Sequence, residues 1–246
     1  MVSVKSLLLA TMATAAYAAP RCVKSMPAPP KTGGTKELAD PAPGLVLKKI
    51  ALGYGIQNYT CADESSTSVS ASGAVAVLYD VTAYHPATAK TGLTKPEWEK
   101  LPESALRSAS FPLNKLPGSE YNADPAQPFP APPEDMATFS GGPGLLKFLG
   151  HHYFDATGTP MFDLSAVGLK ASVVKLDGVE APKDAYEGPM GTGAVAWLQL
   201  VESKMGLSKG LSEVYRVITA GGAPEACSVA GKGDQSVPYA TFYYFY

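Results

Sequence analysis

The sequence predicts an all-β protein, an antiparallel β-sandwich or barrel of about nine strands with a long Pro-rich insertion. Three observations predict it. Charged residues make up only 17% of the 246 residues, while Gly and Pro number 24 and 22, a balance that favours turns and strands over long solvated helices. Short runs rich in Val, Ile, Tyr and Phe recur between Gly, Pro, Asp and Ser. The 46% hydrophobic fraction is enough for one large domain with a core and excludes a disordered chain.

Residues 1–18 read as a signal peptide. Lys5 supplies a positive charge, Ser6 to Ala16 are mostly apolar, and Ala16-Tyr17-Ala18 offers small residues where a signal peptidase reads. Residues 19–44 form a Pro-rich N-terminal arm, and residues 45–246 a single β domain. Nine strand candidates follow: Leu45 to Ala51, Tyr54 to Cys61, Gly73 to Asp80, Gly150 to Phe154, Pro160 to Leu164, Leu169 to Lys175, Ala194 to Val201, Val214 to Ala220 and Tyr239 to Phe245. Gly53 separates the first two. Asp155-Ala-Thr-Gly158 reads as a hairpin turn. The insertion, residues 82–143, is rich in Pro and reads as an excursion over the surface in polyproline conformation. A short helix is predicted within Lys95 to Arg107, interrupted by Pro102.

The net charge of −2 and the lack of a basic stripe argue against nucleic acid as a partner. No segment after the leader has the roughly 18 apolar residues of a membrane span. Cys22, Cys61 and Cys227 are an odd set with no metal-like spacing, so at most one bridge forms within the chain. Asn58-Tyr59-Thr60 is a glycosylation sequon.

Six blocks in order, GYGIQNYTCA from Gly53, GAVAVLYD from Gly73, GHHYFDATGTPMFDL from Gly150, AVAWLQL from Ala194, VYRVITAGGAPEAC from Val214 and VPYATFYYFY from Val237, resemble a family of secreted fungal proteins of unknown function with bacterial and plant relatives. Its members are often labelled malate-dehydrogenase-like. The resemblance implies secretion and β structure, and it implies no catalytic residues. Its cysteines match Cys61 and Cys227. Several members carry another just after the LYD block, where this chain has Val81-Thr82-Ala83. With both matching cysteines beside strand-like segments and Cys22 in the arm, the expectation is a Cys61–Cys227 disulfide with Cys22 unpaired.

The dehydrogenase label meets a physical objection. Gly53-Tyr54-Gly55 lacks the third glycine of a dinucleotide loop and sits in no βαβ pattern. Only Arg21, Arg107 and Arg216 exist to bind two carboxylates. Malate dehydrogenase activity is not expected, nor is any cofactor.

Gly206-Leu-Ser208-Lys-Gly210 matches a nucleophile elbow, but every His precedes it, and it reads as a turn. Ser140-Gly-Gly-Pro-Gly144 lacks the Lys of a phosphate loop. His151 and His152 are adjacent, so in a strand they face opposite ways and cannot chelate one ion, and no metal site is expected. Trp197 lies in an apolar run and reads as core. Trp98, in the insertion, and Tyr153 are the candidates for an exposed aromatic binding surface.

The leading expectation is a secreted, non-catalytic β protein of the cell wall or extracellular matrix that binds a polysaccharide or another surface component. The alternative is a secreted hydrolase using His151 or His152 with Asp155 or Asp163. Cleavage after Ala18 makes the mature chain begin at Ala19. N-terminal sequencing of secreted protein checks this, and retention of Met1 would remove the argument for export.

Overall fold

The computed structural model describes residues 27–66 and 68–246, so the expected signal peptide and Cys22 lie outside the described residues. Eight strands, β1 (Lys49–Cys61), β2 (Ser70–Asp80), β3 (Lys147–Phe154), β4 (Pro160–Leu164), β5 (Leu169–Val179), β6 (Trp197–Glu202), β7 (Glu213–Gly221) and β8 (Gly233–Phe245), form a closed barrel. Each pairs antiparallel with the next in sequence, and β8 returns to pair with β1 from Lys49↔Phe245 to Cys61↔Gly233. The all-β expectation holds in its barrel form.

The count is eight rather than nine because the first two candidates are one strand. Gly53 does not break β1; it makes room. A Cβ there would lie 2.5 Å from a ring carbon of Tyr243, and one at Gly55 would lie 2.0 Å from the Val75 carbonyl oxygen on β2. Glycine inside a strand marks close approach of this kind as readily as a turn.

Alternate residues of β8 serve two cores. Tyr239, Tyr243 and Phe245 join Ala51, Leu78, Phe162, Val173 and Val214, drawn from strands around the ring, inside the barrel. Ala240, Phe242 and Tyr244 face outward into a second cluster with Ile50, Leu52 and Val77 of β1 and β2. That outer face is covered by the insertion. Helix α1 (Lys95–Ser108) lays Trp98, Leu101, Ala105 and Leu106 on it, with the Trp98 ring stacked on Phe242 at 4.1 Å. Leu113, Met136 and Phe139 extend the cover.

The insertion departs from its expected form in two ways. It is not a bare polyproline excursion, because apolar side chains from Trp98 to Phe139 form part of the outer core. Pro102 does not interrupt α1, which runs unbroken through it. The missing N–H costs one hydrogen bond. Pro102 is itself buried on the barrel side, and a capping box offsets the loss: the Glu97 N–H donates to the Thr94 hydroxyl, and the Thr94 N–H donates to Glu97 Oε2.

The described part of the arm has no helix or strand but is tied down. Leu38 is buried, the Tyr246 hydroxyl donates to the Pro27 carbonyl, and Lys36 pairs with Asp177. A short helix, α2 (Cys227–Ala230), precedes β8 and carries the disulfide to Cys61 at the end of β1, with Cα atoms 5.6 Å apart. The expected pairing is therefore present. No helix among the described residues is long and apolar enough to cross a membrane.

The bridge joins residues 166 apart in sequence. Loop-closure entropy puts its contribution at roughly 4–5 kcal/mol. A Cys61→Ser/Cys227→Ser variant should lose stability of that order in urea unfolding, and a variant that keeps the parental midpoint would contradict this role.

Candidate functional site

The two histidines separate as their adjacency predicts. His152 points into the barrel. It is buried, stacks on Phe162 at 4.2 Å, and its Nδ1–H donates to the Met161 carbonyl at 2.9 Å. Burial pushes its pKa down to about 4, and the Arg216 charge acts in the same direction. Arg216, half-buried, donates to the Ala196 carbonyl at 2.9 Å and to Gln57 Oε1 at 3.4 Å. His152 is thus a neutral packing residue of the interior.

His151 faces out, into a groove of about 360 Å³ between the barrel and the insertion. β2 contributes Val77 and Tyr79, β3 contributes Phe148 and His151, and the insertion contributes Ser110 to Asn114 and Glu134 to Ala137. A bulge sets this arrangement. Val77 pairs with His151, but Tyr79 pairs with Phe148, so the register shifts by one residue at Leu149. Phe148 and His151, three residues apart, thereby share one face, with ring centroids 5.0 Å apart. Gly150 allows this, since a Cβ there would lie 2.1 Å from the Asp163 carbonyl oxygen.

Beside the groove the insertion lays Phe129 on His151, with ring centroids 3.8 Å apart, and Pro130 and Pro133 of the same segment line the groove itself. Asn114 holds that segment by donating from Nδ2 to the carbonyls of Gln127 and Phe129. Burial lowers the His151 pKa against the opposing pull of Asp163, so the ring is neutral near pH 7. The Tyr79 phenol is raised, first by burial and then by the negative charges of Glu134 and Asp135. Asp135 accepts from Lys147 at 2.7 Å and from the Phe148 N–H at 2.8 Å.

The remaining predicted residues fall as follows. Asp163 lies directly across from His151 in the β3–β4 ladder. Its carboxylate accepts from both the N–H and the hydroxyl of Ser165 and lies 3.7 Å from Lys170; burial raises its pKa, but these partners hold it below the usual value. Asp155 spends its Oδ1 on Thr157 and Thr159 within the hairpin turn. Tyr153 is half-buried on β3 and lines neither of the two main grooves. Trp98 is corrected: at 3% exposure it is core, because the barrel's outer aromatic face draws it in. Asn58, on β1, is half-buried and accepts from the Ser236 hydroxyl at 2.9 Å. Ser208 sits in the β6–β7 connection and hydrogen-bonds the Ser172 backbone. Among the described residues, no group of three or more His, Cys, Asp or Glu is placed to hold a metal ion.

Sequence reading missed Phe129, Phe148, Tyr79 and Glu134. The one available signal was composition, a Phe inside the run Pro125 to Pro133.

A second groove, about 460 Å³, lies between α1, the arm and β7. Its charges are largely spent on each other: Lys95 pairs with Glu99, Lys100 and Arg107 pair with Glu103, and Arg107 also covers the Tyr186 ring at 3.7 Å. The His151 groove is the better candidate because its polar groups are less engaged.

Against this geometry, a family model described as "Protein of unknown function (DUF3455)" matches residues 41–246. The chain belongs to the DUF3455 family. The match covers the whole barrel, the inner core and the groove, and all of the outer core but Leu38, so this fold and groove lie within the DUF3455 region of the chain. No curated protein and no solved structure matches the chain.

His152 carries a pH prediction. Its pKa falls from 6.5 to about 4 in the fold. Between those values the unfolded chain binds a proton that the native chain refuses, so stability declines as pH falls through that window, by roughly 3 kcal/mol at most. Chemical unfolding at pH 7 and near pH 4 should show the loss, and His152→Phe should flatten the slope. An unchanged slope in that variant would contradict the assignment.

Proposed function

We propose that the protein is secreted and acts outside the cell, at the wall or in the extracellular matrix, as a non-catalytic protein that binds a glycan or a similar polyhydroxylated surface component through the His151 groove. The observation that carries this is the aromatic lining of Phe111, Phe148 and Tyr79 around His151, which Phe129 holds in place by stacking, with Glu134 and Asn114 also lining the groove. Such a surface suits a sugar ring, which has apolar C–H faces and a rim of hydroxyls.

The location rests on residues 1–18 and on the resemblance to secreted fungal proteins with bacterial and plant relatives. The Cys61–Cys227 disulfide is compatible with an oxidising compartment. Secretion would also expose the Asn58 sequon to glycosylation. The non-catalytic reading draws on His151 making no hydrogen bond to a carboxylate or hydroxyl among the described residues, where a general base needs one within reach. The direct cross-strand pairing of His151 with Asp163 favours a second reading, a secreted hydrolase at the same place.

Pull-down of the mature protein on a panel of cell-wall polysaccharides tests both. We expect binding to at least one, weakened about tenfold by Phe148→Ala, in line with loss of one stacking anchor. Absence of binding across the panel would overturn the proposal. Hydrolysis of a panel member, abolished by His151→Ala, would replace it with the hydrolase.

A further inference from the structure

We propose that the His151 groove selects positively charged, amine-bearing sugars over neutral ones. This rests on the glycan-binding reading above and names its substrate class. The first observation is the charge of the lining. Glu134 and Asp135 are both part of it, and no Lys or Arg is. Asp135 is neutralised by Lys147, but Glu134 is exposed and has no cationic partner among the described residues. It is thus the carboxylate left to meet a ligand, and a bound ammonium would restore local neutrality.

The second observation is Tyr79. The residue is 4% exposed and lines the groove, and its hydroxyl has no hydrogen-bond partner among the described residues. The hydroxyl is not among the fully buried polar atoms that lack a partner, so the phenol is enclosed while its oxygen opens to the groove. Its hydroxyl lies close enough to Glu134 and Asp135 for their charge to disfavour its ionisation. The phenol oxygen, the Glu134 carboxylate and the acceptor nitrogen of a neutral His151 form a set rich in acceptors. An ammonium carries three donors and no acceptor, so it complements that set, whereas an acetylated amine offers one donor and no charge.

The third is the aromatic wall. The faces of Phe111 and Phe148 attract cations through their ring quadrupoles. The chain's own Lys115 already lies 5.9 Å from the Phe111 centroid. Lys115 stands near the groove and opposes a cationic ligand, but Glu134 lines the groove and Lys115 does not, so the carboxylate is the charge a ligand meets.

Isothermal titration of the mature protein with three oligosaccharides of equal length tests the inference: glucosamine oligomers at mildly acidic pH, their N-acetylated counterparts, and glucose oligomers. We expect the glucosamine oligomer to bind about tenfold more tightly than either neutral one. That advantage should shrink severalfold on Glu134→Gln, an exposed position where folding is not at stake, and on raising salt to about 0.5 M. Equal or tighter binding of a neutral oligomer would overturn the charge preference while leaving the glycan reading intact, as would a Glu134→Gln variant that keeps the full preference. Binding of none of the three would overturn the charge inference, and the glycan reading would then be judged separately on the wall panel.

Discussion

Strand β8 is buried on both faces, and the rest of the molecule follows from that constraint. Its inward residues fill the barrel, while Phe242 and Tyr244 present aromatic rings to the outside. An uncovered outer face would leave several large apolar side chains in water, at a cost of roughly 2 kcal/mol for each. The insertion and the arm supply the cover. The groove beside His151 is the seam where that cover leaves the barrel wall, so the candidate site is a by-product of how the second core is closed.

The strands were legible in the sequence because period-two patterns and turn residues agree over most of their lengths. β8 reads as a strand from its alternation, Phe242, Tyr244 and Tyr246 on one face and Thr241, Tyr243 and Phe245 on the other, and only the fold shows that both faces are buried. The fused β1 was misread because glycine signals both a turn and a close approach, and only the position of Tyr243 distinguishes them. Trp98 and Pro102 were misread for one shared reason. Proline density marks a chain that leaves the barrel, but it does not say whether that chain packs back onto it.

The site was legible only in part. Adjacency placed His151 and His152 on opposite faces, yet nothing local said which faces the interior. Phe148 reaches the groove through a bulge whose cause is a backbone approach at Gly150, a tertiary fact. Phe129 reaches it from an irregular segment held by Asn114. Such contacts join residues without any periodic relation, so no window along the chain contains them.

The disulfide also bears on the order of folding. Closing the ring requires β1 to find β8, the pairing of largest separation in sequence, and chain entropy makes such contacts slow to form. Cys61 ends β1 and Cys227 stands just before β8. When the oxidised chain refolds, the intact bond keeps the two strands tethered at one end, so their pairing can zip locally from Cys61↔Gly233 toward Lys49↔Phe245. The bond thus spares the oxidised chain, on refolding, the longest search in this topology and leaves one that resembles the closure of a hairpin. The closed ring that results has no free strand edge on which another chain could template.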